Sequence, residues 1–453
     1  MTEAAMSEAA TEIHSDLSAR LRRAVAARAD DLTDLLARLV RVPSVNPKFQ
    51  VDPAFNREPE VQDVIEAELK ALGFATARSF PLHGRPNLIG KWTGSDARSL
   101  ALCGHVDVVP HGDLGQWTVD AYGAEIQGDK LYGRGSCDMK AGLAAAIIAC
   151  RAIADAGITL EGRLEFHAVV DEEGGGEGAM AAAAASPGLA GVLISEPSGG
   201  VLRPWAGGLE WVRVTLRGLS GHSARRFASI YPSEAGALVP VKSVNAIELG
   251  ARLLASVREL ETLWGIHRRF PGMPAGMNTI SPGVMVCGCG EGPDGLPALL
   301  GNPAMVPDIC VIDFDMKFLP HERSVDIRRE FEDWIAHFAQ SDPWLREHPP
   351  EVRWELGKLH FPPVNTPLDH PLTRAVEASI VASGRQPEIA GMLGVTDAAH
   401  YAAKGIPAVV YGPTGGSQHG PDEFVLLSTV RDTAAIIAES VVRFCGVKAA
   451  SGE

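Results

Sequence analysis

Apolar runs of strand length recur along this chain, and one after another they end on a carboxylate or a histidine. Residues 100–103 read as a buried strand with His105 and Asp107 at its end. RLEFHAVV (163–170) runs into Asp171, Glu172 and Glu173, residues 191–195 run into Glu196, and residues 406–411 lead into a Gly-rich loop that carries His419. Strands alternating with helical segments indicate an α/β domain with a mixed, largely parallel sheet flanked by helices. In such sheets ligands bind in the crevice at the carboxyl ends of the strands, which is where these polar residues fall.

The helical segments fit between the strands. After a loose stretch over residues 1–14, Leu17, Leu21, Val25, Leu32, Leu35, Leu36, Leu39 and Val40 recur at helical spacing, and Pro43 and Pro47 end that helix. A second helix spans 61–72 and stops at Gly73. Others cover 139–156, 177–185 and 428–445. Near Gly207 the texture changes, because EWVRVTLR (210–217) alternates as a half-buried antiparallel strand does. A helix over 243–264, strands at 279–286 and 309–319 and a helix over 324–338 follow, ahead of the Pro-rich stretch HPPEVRW. These make an α+β unit of about 140 residues. The expected organisation is one α/β domain in two parts, residues 1–208 and 356–453, interrupted by an insert over 209–355.

Composition narrows the partners. Hydrophobic residues make up 46% of the chain and charged residues 21%, with no run long and apolar enough for a membrane span. A formal charge of -15 argues against nucleic acid, because gripping phosphates needs clustered Lys and Arg. MTEAAMSEAATEIHSDLSAR is acidic and polar where a secretion signal would be basic and then apolar. Seven cysteines without CxxC spacing fit a reducing compartment, and the cytoplasm is the expected location. Cys287 and Cys289 form a CxC, but no second cysteine or histidine pair lies near them in sequence, so metal is not expected there.

The strand-end residues suggest metal. His105 and Asp107, two apart on an extended chain, share a face, the arrangement of a metal-bound histidine backed by a carboxylate. YGRG turns the chain so that Asp138 opens a helical segment facing the same strand end. Read alone, DEE fits a solvated loop and Glu196 a surface acid. Together His105, Asp138, Glu173, Glu196 and His419 supply two histidines and three carboxylates, which suits two divalent ions roughly 3.5–4 Å apart sharing one carboxylate. Zinc is the first expectation, and such ligands accept cobalt or manganese too. The glycines beside His419, Gly415 and Gly416, would let backbone approach a substrate.

HVDVVP, GRGSCDMKAG, DEEGGG, SEPS, SGHSA and SQHGPDEF, in that order, resemble the dinuclear zinc aminoacylase, deacetylase and peptidase family (M20), over nearly the whole chain after about residue 30. The resemblance implies hydrolysis of a C–N amide bond by a water activated between two metals. Asp138 would bridge both ions, His105 and Glu196 would complete one site, and Glu173 and His419 the other. Asp107 would be the partner behind His105, and Glu172 the general base. The insert would be a lid and dimerisation domain, making the protein a homodimer. His222 would reach the partner's active site to stabilise the oxyanion, with Asn278 beside it.

Two positions depart from the family pattern. DMKFLP carries Lys317, and TDAAH carries Ala399 followed by His400, where relatives typically place arginines that grip a substrate carboxylate. Lysine lacks the planar two-pronged fork that matches a carboxylate. The interval after His222, residues 225–241 with Arg225 and Arg226, is also longer than usual. Removal of an acyl group from an N-acyl amino acid or related small amine is the leading expectation. A dipeptidase or carboxypeptidase, hydrolysis of a non-peptidic C–N bond such as that of an aryl amine, and a non-catalytic metal-stabilised binding protein are the alternatives.

Overall fold

The computed structural model describes residues 16–225 and 243–448. The chain divides into two compact units, Met1–Ala206 with Val364–Glu453, and Gly207–Pro363.

The first unit is built on a nine-stranded sheet among the described residues. Its order is Ala75–Leu82, Arg85–Trp92, Gly162–Val169, Ser95–His105, Gly191–Ile194, Ala408–Val410, Leu202–Ala206 and Val364–Asn365, with Ile389–Met392 also pairing Leu202–Ala206. The four strands from Gly162–Val169 to Ala408–Val410 are parallel, and the pairs outside them are antiparallel except that of Ile389–Met392. The sheet is thus mixed, parallel only at its centre. Period-2 alternation places Leu100 and Leu102 in the core under the helices Ala141–Asp155 and Leu427–Cys445, while Cys103 faces Tyr401 on the opposite side. Because the central strands are parallel and in register, His105 lies opposite Val169, and Cys103 opposite Ile194. Their carboxyl ends therefore present His105, Asp171–Glu173 and Glu196 at one edge.

Several boundaries differ from the sequence reading. The first helix is interrupted at Arg28, separating residues 16–27 from Ala29–Val40, and the Arg28 guanidinium there donates to Asp155 and Asp31. Asp138 does not open a helix. It sits in a tight turn, Ser136–Lys140, with extended backbone (φ -114°, ψ 96°), and the helix begins at Ala141. The Pro-rich stretch HPPEVRW carries regular structure. Its two prolines precede an edge strand, Glu351–Trp354, that pairs with Val212–Thr215, and His360–Phe361 pairs with the same strand, so the second unit runs to Pro363 rather than 355.

The second unit is an antiparallel sheet ordered Pro297–Leu299, Ile280–Glu291, Ile309–Phe318, Gly208–Arg217 and Glu351–Trp354. Its core is closed by the helices Ala246–His267 and Ser324–Gln340. Asn245 starts the first of these by accepting the Ile247 amide, one of the orphan donors every helix leaves at its N-terminus. From residue 226 on, the long interval after His222, including Arg226, lies outside the described residues.

Candidate metal centre

Five strand-end and loop residues converge in the first unit. His105 Nε2 lies 3.2 Å from Asp138 Oδ1 and 3.3 Å from Glu196 Oε1. His419 Nε2 lies 3.3 Å from Asp138 Oδ2 and 3.3 Å from Glu173 Oε2. Each histidine thus faces a different oxygen of the same carboxylate, with one further glutamate on its own side. Ligand atoms of His105, Asp138 and Glu173 lie within 4.8 Å of one another, as do those of His105, Glu172 and Glu196, so His105 is shared by both carboxylate pairs. The separations to the two histidines are shortest for Asp138, Glu196 and Glu173. They leave Glu172, 4.0 Å from His105 Nε2, as the acid held most loosely by an imidazole.

The polarity of His105 tests whether a cation fits here. Its Nδ1 is 2.8 Å from the Asp107 carbonyl oxygen, which can only accept, so Nδ1 carries a proton. If that is its only proton, Nε2 presents a lone pair to two carboxylate oxygens at 3.2–3.3 Å, an arrangement that a cation between them resolves. With no metal, a second proton has to serve. Burial alone would lower the pKa of this imidazole, yet Glu196, Asp138 and Glu172 raise it well above the ordinary histidine range. His419 is pushed up to about 10 by its contacts with Asp138 and Glu173. Four carboxylates and two imidazoles lie close together here, with His105 and Glu196 buried, and the groups His105, Asp138, Glu173 and His105, Glu172, Glu196 could each hold a metal ion.

Asp107 is placed otherwise than as a carboxylate behind His105. Its carbonyl orients the ring, while its carboxylate, 3.8 Å from Nδ1, accepts from the Glu172 amide (3.1 Å), the Glu173 amide (3.3 Å) and Asn46 Nδ2 (2.8 Å). One residue therefore sets the tautomer of His105 and anchors the two glutamates. Glu172 is raised well above the usual carboxylate range by burial, with His105 opposing and Glu196 reinforcing the shift.

Close approach brings the pieces together. At Gly142 a Cβ would come within 2.0 Å of the Ser195 carbonyl, so only glycine lets the helix after Asp138 close on the strand end carrying Glu196. Gly415 and Gly416 pair with Val425 and Phe424 in a small sheet that also holds Lys130–Tyr132. A Cβ on Gly415 would meet Cys137 Sγ at 2.4 Å and one on Gly416 the Phe424 ring at 2.8 Å, so both glycines have a packing reason to be bare.

Two features escaped the sequence reading. Glu423, buried, accepts the amides of Cys137 and Asp138 (3.0 Å each) and pairs with buried Arg134, which also donates to the Gly420 carbonyl. The Asp138 turn and the His419 loop are thereby tied together. The letters were visible in GRG and PDEF, but nothing local pairs them. Asp397 is fully buried and neither carboxylate oxygen has a hydrogen-bond partner among the described residues. Burial pushes its pKa well up. Its neighbours Ala399 and His400, noted for replacing an arginine, are buried too.

The remaining named residues belong to the second unit. His222 is exposed and its Nδ1 accepts the Ala224 amide. Asn278 is buried, with both amide atoms lacking a partner among the described residues. Lys317 is half-buried on the strand Ile309–Phe318, on the face that also carries Asp313 and Asp315.

This chain is 29% identical to N-formyl-4-amino-5-aminomethyl-2-methylpyrimidine deformylase of Bacillus subtilis over 409 residues, covering 87% of this chain and 91% of that protein. It is 30% identical to a succinyl-diaminopimelate desuccinylase of Cereibacter sphaeroides, covering 90% and 97%. In fold it is similar to aminopeptidase PepT from Bacillus cereus, with a TM-score of 0.67 at 19% identity and coverage of 92% and 99%. No helix among the described residues is long and apolar enough to cross a membrane. The family model described as Peptidase family M20/M25/M40 matches residues 101–443, well over half the sequence, and the chain belongs to that family.

Proposed function

We propose that this hydrolase removes a formyl or other small acyl group from an amine that carries no α-carboxylate, using two divalent ions, zinc first among them. The observation that carries the hydrolytic reading is the approach of His105 and His419 to opposite oxygens of Asp138, with Glu172 beside them and farther from His105 than Asp138 or Glu196. His105 and Glu196 would hold one ion, His419 and Glu173 the other, and Asp138 both. When bound, the ions supply a Lewis acid for the amide carbonyl and lower the pKa of water. Glu172, fixed through its amide by Asp107, takes a proton from the attacking water and returns it to the nitrogen that leaves. A structural metal site would have no use for that carboxylate.

The substrate class rests on Lys317 and Ala399, where no guanidinium fork is offered, and on the likeness to a deformylase whose named substrate is an N-formylated aminomethylpyrimidine. His222 and Asn278 would stabilise the oxyanion across a homodimer of the second unit. Support for that dimer comes from the strand Ile280–Glu291, where Val284 and Met285 are exposed and the outer neighbour Pro297–Leu299 pairs only at Cys289 and Glu291, leaving the kind of open strand that recruits another chain. Nothing in the charge balance favours nucleic acid, and the cytoplasm remains the proposed location.

The test is a rate panel on the metal-loaded protein with N-formyl and N-acetyl aminomethyl heteroarenes, N-acetyl and N-succinyl amino acids, dipeptides and aryl amides. N-acyl amines without a carboxylate should lead in kcat/KM by at least about tenfold. A preference for N-acyl amino acids or dipeptides would overturn the substrate class while leaving the hydrolytic centre intact.

A further inference from the structure

Cys287 and Cys310 stand directly opposite each other on neighbouring antiparallel strands, Ile280–Glu291 and Ile309–Phe318 of the second unit. Directly opposed residues in such a pair have Cα atoms about 4.5–5.5 Å apart, inside the range of about 4.4–6.8 Å that a disulfide spans. Their sulfurs are 2.9 Å apart, less than an ångström longer than the bond of about 2.05 Å that would join them. Backbone and side chains are thus already where the cross-link needs them. All seven cysteines are free thiols. Cys310 is sealed inside the core, whereas Cys287 is half-buried and lines an open cavity of about 450 Å³ with Ser223, Leu299, Met305 and Val306. A small reagent can reach one sulfur of the pair, and the second waits behind it. A soft-metal site is the competing reading for clustered cysteines, but among the described residues no ligand group of three includes Cys287, Cys289 or Cys310. Cys289 instead spends its thiol on the Val306 carbonyl.

We propose that Cys287 and Cys310 form a dithiol modification site that a low-molecular-weight disulfide of the glutathione type converts into a reversible cross-strand disulfide. The Cys287 thiolate attacks one sulfur of the reagent and releases the other as a thiolate. Cys310 then loses its proton and attacks Cys287 Sγ, releasing the second. Two protein thiols are oxidised by two electrons, and one small disulfide is reduced to two thiols. The order of attack follows from access and from the thiol–thiol hydrogen bond, which lowers the pKa of Cys287 and raises that of Cys310. The product staples the strand Ile280–Glu291 to Ile309–Phe318 at the centre of its sheet.

The metal-loaded protein, incubated with oxidised glutathione and mapped without reduction, tests this. Alkylatable cysteines in the denatured wild type should fall from seven to five, with one cross-linked peptide joining Cys287 to Cys310, and dithiothreitol should restore all seven. Cys310→Ser should stop at a glutathionyl adduct on Cys287, and Cys287→Ser should take up none at Cys310. A wild type that keeps seven free thiols, holds a lasting adduct on Cys287, or links another pair would overturn the proposal. The wild-type map decides the matter even if a variant folds poorly.

Discussion

His105 and His419 approach the same carboxylate from opposite oxygens, yet they are built in opposite ways. His105 ends a central parallel strand, is wholly buried, and has its ring fixed by the Asp107 carbonyl. His419 sits on a loop in the left-handed region (φ 60°), with its side chain 54% exposed. Its loop is held by Arg134 on Gly420 and by Glu423 behind the Asp138 turn. One half of the centre is positioned by the sheet itself, the other by a polar clamp between two loops. A site on a rigid element with a fixed second donor holds a metal more firmly than one on an exposed loop, so the two halves should differ in affinity and exchange.

The largest effect is expected from Asp138→Asn, which removes the charge from the one carboxylate that both histidines approach. Metal content should collapse and kcat/KM drop to assay background. A variant that retains its full metal by elemental analysis would break the idea of a shared ligand. Glu172→Gln should come next, lowering kcat by about 10²–10⁴-fold. Its metal-to-protein ratio should be that of the wild type, and normal turnover in this variant would remove Glu172 from the proton relay.

The comparison itself is sharpened by His105→Ala against His419→Ala. During dialysis against a chelator the His419 variant should keep the firmly held half of its metal, while the His105 variant loses the greater part. Equal losses would mean that burial and strand placement make no difference. The smallest effect is expected from Glu423→Gln, which keeps an acceptor for the two amides but loses the ion pair with Arg134. Metal affinity should weaken by about 10–100-fold, confined to the His419 half, as read by competitive titration. Equal weakening of both halves would show that the clamp serves the fold as a whole.

Part of the candidate site is legible in the letters, because His105, Glu173 and Glu196 each sit at the end of an apolar run that can be recognised by itself. Asp107 was legible as a neighbour of His105 but not in its use, since a two-residue spacing says that two side chains share a face and not that the carbonyl rather than the carboxylate meets the imidazole. Asp138 reads as a helix start because Ala-rich sequence follows it, whereas its turn is held in extended backbone by Glu423, far away in the chain. Gly415 and Gly416 read as a place for ligand to approach, and the close neighbours there are Cys137 and Phe424.

The alternation of strands and helices, the change of texture near Gly207, the family resemblance and a set of candidate metal-competent side chains are legible in the sequence alone, because hydrophobic period, strand-end polarity and short motifs are local properties. Only the tertiary structure decided that the sheet is parallel just at its centre, that Glu351–Trp354 is an edge strand, that Arg134 and Glu423 join two loops, and that Cys287 meets Cys310. Each of these depends on residues far apart in the chain being brought within a few ångströms, and burial and register supply that while no spacing in the sequence encodes it.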